Sequence, residues 1–223
     1  MTPISPMLKV CCIASIEEAR MALSHGATAV GLVGEMPSGP GIIDDDTIRA
    51  IAADVGAAGW SVLLTSRVTA QGIVDHVRDT GVNTVQIVDA PEAGSYAALR
   101  AQLPHVRILQ VIHVEDEDNI AEAVAAAAEV DAILLDSGKP KAAVKTLGGT
   151  GDRHDWSISR KIVEAVEVPV FLAGGIRPEN VAEALREVQP AGIDLCTGIR
   201  DKNHALVEDR LKALITEMMA AEA

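Results

Sequence analysis

Residues 168–198, with the sequence VPVFLAGGIRPENVAEALREVQPAGIDLCTG, contain the repeating unit of this protein. The apolar run Val168–Leu172 leads into a Gly-Gly turn, then a helical pattern over Pro178–Glu187 and a second apolar run, Gly192–Cys196. Runs that are apolar at successive positions indicate strands covered on both faces, as in a parallel sheet. The stretch therefore predicts a strand–helix–strand unit.

The same unit recurs along all 223 residues. The other predicted strands are Leu8–Ile13, Ala29–Val33, Ser61–Leu64, Thr84–Val88, Arg107–Val111 and Ala132–Leu135. Helical patterns separate them, the first opened by a capping box in which Ser15 is followed three residues later by Glu18. Eight such units predict an α/β protein, a single-domain (β/α)8 TIM barrel over residues 1–223. The alternative is an open doubly wound sheet, but that fold usually has a Gly-rich turn after its first strand, and Cys11–Ser15 contains no glycine.

Composition excludes several classes of function. The chain has 19 Lys and Arg against 32 Asp and Glu, a net charge of −13, and only 2% aromatic residues, so no nucleic-acid partner is expected. No apolar run reaches the roughly 18–20 residues of a membrane helix, and Met1–Pro6 lacks the basic start of a signal peptide. Three cysteines argue against a disulfide framework, and the six histidines lack metal-binding spacing. We expect a cytoplasmic protein with no metal.

In a barrel the chemistry lies at the carboxyl ends of the strands. Asp136 ends strand 6, where partial burial would raise its pKa and suit a general acid; the alternative is a cap for the next segment. Cys11 ends strand 1 and is either a base or a small buried apolar residue. Side-chain alternation predicts that Cys12 faces the helices, and Cys196 is expected to pack within strand 8.

Glycines gather at the same predicted rim. Gly148–Gly151 follows strand 6, Gly174 and Gly175 follow strand 7, and Thr197–Gly198 follows strand 8. Glycines let backbone N–H groups approach an anion, and barrels often bind phosphate with the loops after strands 7 and 8. We therefore expect a phosphate site built from backbone amides, unless these glycines only form tight turns. His113 and His154 lie on the same rim, as site residues or as ordinary loop histidines.

The order of these motifs resembles the phosphoribosylanthranilate isomerase family. The family opens with Lys-Ile-Cys-Gly-Ile, matched by Lys9-Val10-Cys11-Cys12-Ile13, and has a Val-Gln pair in strand 4, matched by Val85-Gln86. The second half is most similar: Leu134-Leu135-Asp136-Ser137, Gly148-Gly149-Thr150-Gly151, Asp155-Trp156, Leu172-Ala173-Gly174-Gly175-Ile176 and Pro178-Glu179-Asn180-Val181.

The resemblance implies an enzyme, without cofactor or metal, for the Amadori rearrangement of N-(5′-phosphoribosyl)anthranilate in tryptophan biosynthesis. It implies that Asp136 is the general acid that opens the sugar ring and that Cys11 is the general base that removes the C2′ proton. The residues that it assigns to phosphate are Gly149, Gly151, Gly174, Gly175, Thr197 and Gly198, with Gln86 as a further substrate contact.

The chain departs from the family pattern in the loop after strand 2. Where the family usually has Ser-Pro-Arg, whose arginine pairs with the anthranilate carboxylate, this chain has Gly39-Pro40-Gly41. Arg67, at the end of strand 3, is the expected replacement in substrate binding. Two alternatives stay open: an isomerase of a related phosphorylated aminosugar that lacks the carboxylate, and a non-catalytic barrel that binds a phosphorylated ligand. The expected partner is a small phosphorylated sugar, and the chain is a monomer or a homodimer.

Overall fold

The computed structural model describes residues 6–37, 39–138 and 154–221 and shows a closed parallel barrel. Its strands are β1 (Met7–Val10), β2 (Ala29–Val33), β3 (Trp60–Thr65), β4 (Thr84–Ile87), β5 (Arg107–His113), β6 (Ala132–Asp136), β7 (Val170–Leu172) and β8 (Gly192–Leu195). Each strand pairs with its neighbour in the chain, and β1 pairs with β8 to close the ring. The predicted (β/α)8 barrel is confirmed, and the open doubly wound sheet is excluded.

A helix follows each strand along the chain. The helices are α1 (Ile16–Ser24), α2 (Asp45–Val55), α3 (Ala70–Thr80), α4 (Ser95–Gln102), α5 (Asp118–Ala127), α6 (Trp156–Ala165), α7 (Val181–Val188) and α8 (Glu208–Ala221), with a short 3-10 turn at Thr197–Ile199. The capping box at α1 is present: the Ser15 hydroxyl accepts from the Glu18 N–H (3.2 Å), and a Glu18 carboxylate oxygen accepts from the Ala14 N–H (3.1 Å).

Side-chain alternation along the strands divides the core into two layers. Outward-facing residues such as Leu8, Val10 and Leu32 pack against the helices. Inward-facing residues form a second, separate cluster that fills the barrel and includes Leu109 and Phe171. The interior is therefore closed by packed side chains, and the open space lies at the mouth where the strands end.

Strands 1 and 8 are shorter than the sequence predicted. β1 ends at Val10 rather than Ile13, and β8 ends at Leu195 rather than Cys196. Cys12 has a positive φ of 61°, a conformation that interrupts an extended strand. Both changes place the last residues of these predicted strands in the loops at the barrel mouth.

Across the ranges that the structure covers, none of the helices has both the length and the apolar character needed to cross a lipid bilayer.

Candidate active site

A cavity opens at the carboxyl ends of the strands, in the centre of the barrel mouth. Its lining comes from all around the ring and consists of Cys11, Cys12, Val33, Met36, Gly39, Pro40, Leu64, Gln86, Val88, Val111, Asp136, Ala173, Gly174, Gly175, Ile176, Asp194, Leu195, Cys196 and Thr197. The structure therefore brings six of the predicted site residues to one cavity, namely Cys11, Gln86, Asp136, Gly174, Gly175 and Thr197.

Cys11 follows β1 and keeps the inward orientation of Lys9, two residues earlier. Its backbone is held from two sides: the N–H donates to the Leu195 carbonyl (2.9 Å), and the carbonyl accepts from the Arg200 guanidinium (3.0 Å). Burial raises the pKa of the Cys11 thiol, whereas the positive charge of Lys9 acts in the opposite direction. The thiol is thus fixed at the base of the cavity, with a cation close by.

Asp136 is the last residue of β6 and is partly buried in the cavity wall. One carboxylate oxygen accepts a hydrogen bond from the Ser137 N–H (2.8 Å). Burial raises the pKa of this carboxyl, while that hydrogen bond and the nearby His113 lower it and the charge of Asp194 raises it further. A carboxyl that retains its proton more readily than usual is suited to act as a general acid near neutral pH.

Two charged residues inside the barrel were missed from the sequence. Lys9 on β1 is fully buried, and its Nζ lies 2.8 Å from a carboxylate oxygen of Asp194 on β8. The two residues are register partners on neighbouring strands. A usable signal was present, because Lys9 interrupts an otherwise apolar strand and shares the inward face of Cys11, and side-chain alternation therefore places it inside.

The loop after β7 brings two glycines to the cavity. Gly174 and Gly175 have φ values of 82° and 66°, and a Cβ built at Gly174 would lie 2.9 Å from the Ser137 hydroxyl oxygen. Only glycine fits this turn without strain. Both glycines line the cavity, so no side chain separates their backbone from a ligand bound there.

The remaining residues of the predicted phosphate site have different positions. Thr197 lines the cavity, but Gly198 does not. A Cβ at Gly198 would collide with the Ile176 carbonyl oxygen and approach Arg177, so this glycine permits the loops after β7 and β8 to pack together. Gly149 and Gly151 lie outside the described residues.

One wall of the cavity is apolar, formed by side chains that include Met36, Leu64 and Val88. Gln86 also faces the cavity, and its side-chain carbonyl oxygen is buried and has no hydrogen-bond partner among the described residues. Arg67 does not reach this space: its guanidinium donates to the Gly72 carbonyl (3.0 Å) at the start of α3. Among the residues that the structure covers, no lysine or arginine lines the cavity.

The expectations for Cys12 and Cys196 were wrong. Cys12 does not face the helices, and Cys196 is not packed within β8; both line the cavity and are joined by a disulfide, with 5.8 Å between their Cα atoms. The physical reason is that β1 ends at Val10 and that Cys12 has a positive φ, so strand alternation no longer applies to it. Cys11 remains the free thiol.

The two rim histidines make local contacts. His113 is buried, and its Nε2 lies 2.9 Å from the Val88 carbonyl oxygen, to which it donates. The Nε2 of His154 lies 2.7 Å from the Ser159 hydroxyl. Within the described ranges, no group of three or more His, Cys, Asp or Glu side chains is arranged to hold a metal ion.

This fold and site define a class of protein: a (β/α)8 barrel with a thiol and a carboxyl at the mouth, beside a turn of two glycines. Comparison with known proteins identifies the family. Residues 8–205 match the family model described as N-(5′phosphoribosyl)anthranilate (PRA) isomerase. The chain belongs to this family, as its motifs indicated.

Relatives and solved structures agree with that assignment. A protein from Methanosarcina mazei named N-(5′-phosphoribosyl)anthranilate isomerase 2 is 39% identical over 197 residues, 88% of this chain and 86% of that protein. The fold matches a phosphoribosyl anthranilate isomerase solved in complex with reduced 1-(o-carboxyphenylamino)-1-deoxyribulose 5-phosphate, with a TM-score of 0.76, 22% identity and coverage of 99% and 100% of the two chains. It also matches the structure described as mutually generated monomers of dimeric phosphoribosylanthranilate isomerase from Thermotoga maritima, with a TM-score of 0.76, 21% identity and the same coverage.

Proposed function

We propose that this chain catalyses the isomerisation for which its family is named, the conversion of the aminoaldose N-(5′-phosphoribosyl)anthranilate to the corresponding aminoketose. The observation that carries the proposal is that the Cys11 thiol and the Asp136 carboxyl, from strands far apart in the ring, line one cavity. A thiol and a carboxyl with different proton affinities supply the base and the acid that this rearrangement needs.

The reaction begins with the opening of the sugar ring. Asp136 donates its proton to the ring oxygen, the bond between C1′ and that oxygen breaks, and the nitrogen lone pair forms a C=N bond. The raised pKa of Asp136 supports this role, because the carboxyl must be protonated when the substrate binds. General acid catalysis of this kind contributes roughly 10²–10⁴-fold to the rate.

The second step moves the double bond. The Cys11 thiolate removes the proton from C2′, a C1′=C2′ bond forms, and the electron pair of the C=N bond returns to nitrogen. Reprotonation at C1′ and loss of the hydroxyl proton at C2′ then give the ketone. The electron pair of the C2′–H bond is transferred toward C1′, so C2′ is oxidised and C1′ is reduced by the same amount. The rearrangement therefore needs no external oxidant or reductant.

The phosphate group of the substrate is assigned to the rim formed by Gly174, Gly175 and Thr197, with Gly198 supporting the loop. Backbone amides suit this task because the net charge of −13 opposes an anionic ligand and fixed N–H groups provide local positive potential without a lysine. The proposed contacts of Gly149 and Gly151 with phosphate stay as predictions from the sequence.

The apolar wall opposite this rim is assigned to the aromatic ring of the substrate, and Gln86 is assigned to a substrate donor. The unpartnered carbonyl oxygen of Gln86 supports that role, because a buried acceptor gains most from a ligand that donates to it. Candidate donors on the substrate are a ribose hydroxyl and the anilino N–H.

A second candidate substrate follows from the absence of a cation along the described cavity wall. An isomerase of this type that acts on an aminosugar phosphate without the aryl carboxylate needs no arginine there. A charge-assisted contact to the carboxylate is worth about 1.5–3 kcal/mol, or roughly 10–150-fold in kcat/KM. Comparing kcat/KM for N-(5′-phosphoribosyl)anthranilate and N-(5′-phosphoribosyl)aniline separates the two: a ratio in that range supports the first substrate, and a ratio near one or below supports the second.

The decisive experiment combines genetics with kinetics. Expression of this chain is expected to rescue a tryptophan-requiring strain that lacks this isomerase, and Cys11→Ala and Asp136→Ala are each expected to abolish rescue and turnover. Asp54→Ala, which removes a carboxylate paired with Arg20 on the helical shell, serves as the control and retains both. Failure of the folded wild-type chain to rescue, or tight ligand binding without turnover, would favour the non-catalytic phospholigand-binding alternative.

We also propose that the enzyme works in the cytoplasm, alone or as a homodimer. The dimeric relative from Thermotoga maritima supports the second state. Sedimentation at micromolar concentration distinguishes a monomer from a dimer. Disulfides are uncommon in the cytosol of mesophiles, so the compartment is tested by trapping thiols at cell lysis and mapping Cys12 and Cys196. Two trapped thiols support the cytoplasm, and an intact disulfide contradicts it.

A further inference from the structure

Lys9 is the charged side chain that the barrel buries most completely. Its exposed fraction is 0%, and its strand neighbours Leu8 and Val10 belong to the apolar core. Lysine is almost never fully buried without a partner, because removing an ammonium from water costs several kcal/mol. A lysine retained inside a packed barrel therefore calls for a specific explanation.

Asp194 supplies the partner. The Lys9 ammonium lies 2.8 Å from its carboxylate, and the pair joins the two strands that close the barrel. Burial lowers the pKa of Lys9, but the charges of Asp194 and of the Cys11 thiolate outweigh it and the net pKa is raised. Lys9 is therefore held in its charged form, directly beneath the mouth.

The Lys9 ammonium and the Cys11 thiol meet at one point of the barrel wall. A Cβ built at Gly31 on β2 would lie 2.7 Å from the Cys11 sulfur and 3.1 Å from Lys9 Nζ, so both atoms approach the same backbone position. The absence of a side chain at Gly31 leaves the space in which they lie together. The positive charge of Lys9 lowers the pKa of the thiol, but burial has the larger effect, and the net pKa of Cys11 is raised.

We propose that Lys9 is a positioning residue for Cys11. Its ammonium, held in place by Asp194, stabilises the thiolate that forms when Cys11 loses its proton. The inference rests on the proposed role of Cys11 as the base that removes the C2′ proton. A buried thiol favours its neutral form, and a neutral thiol cannot act as a base. Lys9 offsets part of the cost of burial, while the negative charge of Asp194 acts in the opposite direction and keeps the thiolate basic.

The other charged or titratable groups around the thiol do not supply this cation. Asp136 and Asp194 face the same cavity and carry negative charge when ionised. Cys12 is in the disulfide with Cys196, and Arg200 donates to the Cys11 backbone carbonyl rather than to its sulfur. On the described part of the chain, Lys9 is thus the cation placed to act on the thiol itself.

The test measures the pH dependence of Cys11 alkylation by iodoacetamide, with the modified peptide identified by tandem mass spectrometry and Cys11→Ser as the background. The principal variant is the double substitution Lys9→Met and Asp194→Asn, which keeps the side-chain volumes and leaves no buried charge unpaired. Lys9→Met alone is measured as well. The control is the double substitution Arg20→Met and Asp54→Asn, which removes an ion pair from the helical shell.

In the double variant we expect the midpoint of the alkylation profile to rise only modestly, because losing the Asp194 charge, which raises the pKa of the thiol, partly cancels the loss of the Lys9 charge. In Lys9→Met we expect the midpoint to rise by about one pH unit or more, because a nearby opposite charge shifts a pKa by about 1–3 units. The alkylation rate at pH 7 then falls about tenfold or more, and the acid limb of the kcat/KM profile moves to higher pH by the same amount. The shell variant leaves both profiles unchanged.

An alkylation midpoint that is unmoved both in folded Lys9→Met and in the folded double variant would overturn the proposal and leave the ion pair with a structural role only. The alkylation readout does not depend on turnover. If Cys11→Ala retains isomerase activity, the proposed role of Cys11 is wrong, whereas the alkylation profiles still decide whether Lys9 controls the thiol.

Discussion

Replacing Gly31 by alanine inserts one methyl group at the point where Lys9 and Cys11 meet. The new Cβ would lie 2.7 Å from the Cys11 sulfur, 3.1 Å from the Cys11 Cα and 3.1 Å from Lys9 Nζ. Rotation of the thiol relieves the closest contact but not the contact with the backbone. The substitution therefore displaces Cys11 relative to any substrate bound at the mouth.

The stability cost of this substitution is small because two effects oppose each other. Overpacking of a dense interior costs about 1–3 kcal/mol. Alanine in place of glycine restricts the unfolded chain and returns about 0.4–1 kcal/mol. The net loss of unfolding free energy is about 0–2.6 kcal/mol, which lowers Tm by up to about 10 °C in a chain of this length. The loss of turnover is larger, since misplacing a catalytic group by about 1 Å costs on the order of 100-fold.

Gly192→Ala is the matched control. Gly192 lies in β8 at the opposite end of the barrel, where a Cβ would lie 2.6 Å from the Phe171 ring and 3.0 Å from the Met7 carbonyl oxygen. It inserts the same methyl group into the same interior without reaching the cavity. Calorimetry and steady-state kinetics on N-(5′-phosphoribosyl)anthranilate compare the two variants. Equal losses of Tm with wild-type kcat in both variants would refute the argument that Gly31 makes room for the catalytic thiol.

Three further measurements address protonation and covalent structure. Because the pKa of Asp136 is raised in the folded protein, its ionisation destabilises the fold by an amount that grows from the ordinary carboxyl pKa up to the raised pKa and is constant above it. Asp136→Asn is therefore expected to raise Tm at pH 7–8, with the gain shrinking as pH falls below the raised pKa and vanishing near the ordinary one. A gain that persists at still lower pH would contradict this cause. Burial, and to a lesser extent nearby acidic charges, raises the pKa of Tyr96 to about 12. Because the chain contains one tyrosine, an ultraviolet titration is expected to show a single midpoint near that value, and a midpoint near 10 would contradict it. Reducing the Cys12–Cys196 disulfide, whose cysteines are 184 residues apart, should lower the unfolding free energy by up to about 5 kcal/mol in denaturant titrations; identical curves with and without reductant would show that the bond does not constrain the unfolded chain.

The regular alternation of short apolar runs with amphipathic helical segments was sufficient to predict the barrel. Strands of a parallel barrel are covered on both faces, so their apolar runs stand out from the amphipathic helices between them, as in Ala132–Asp136 and Val170–Leu172. The inward orientation of Cys11 followed from strand alternation alone. Asp136 was placed at the mouth because it directly follows such a run. These inferences depend only on neighbours in the chain, and local sequence carries that information.

The inferences that failed depended on contacts between distant segments. Cys12 meets Cys196 only because barrel closure sets β1 beside β8, and a single residue of positive φ reverses the direction of its side chain. Arg67 was predicted to bind substrate from its position after β3; in the structure its guanidinium donates to the Gly72 carbonyl in the first turn of α3, outside the cavity lining, and its role in substrate binding stays a prediction. The partnership of Lys9 with Asp194, and the space that Gly31 leaves for it, arise where three strands converge. Side-chain alternation predicts on which face of a strand a side chain lies. The residue that it contacts on a neighbouring strand is set by the strand register and by closure of the barrel, and both exist only in the folded chain.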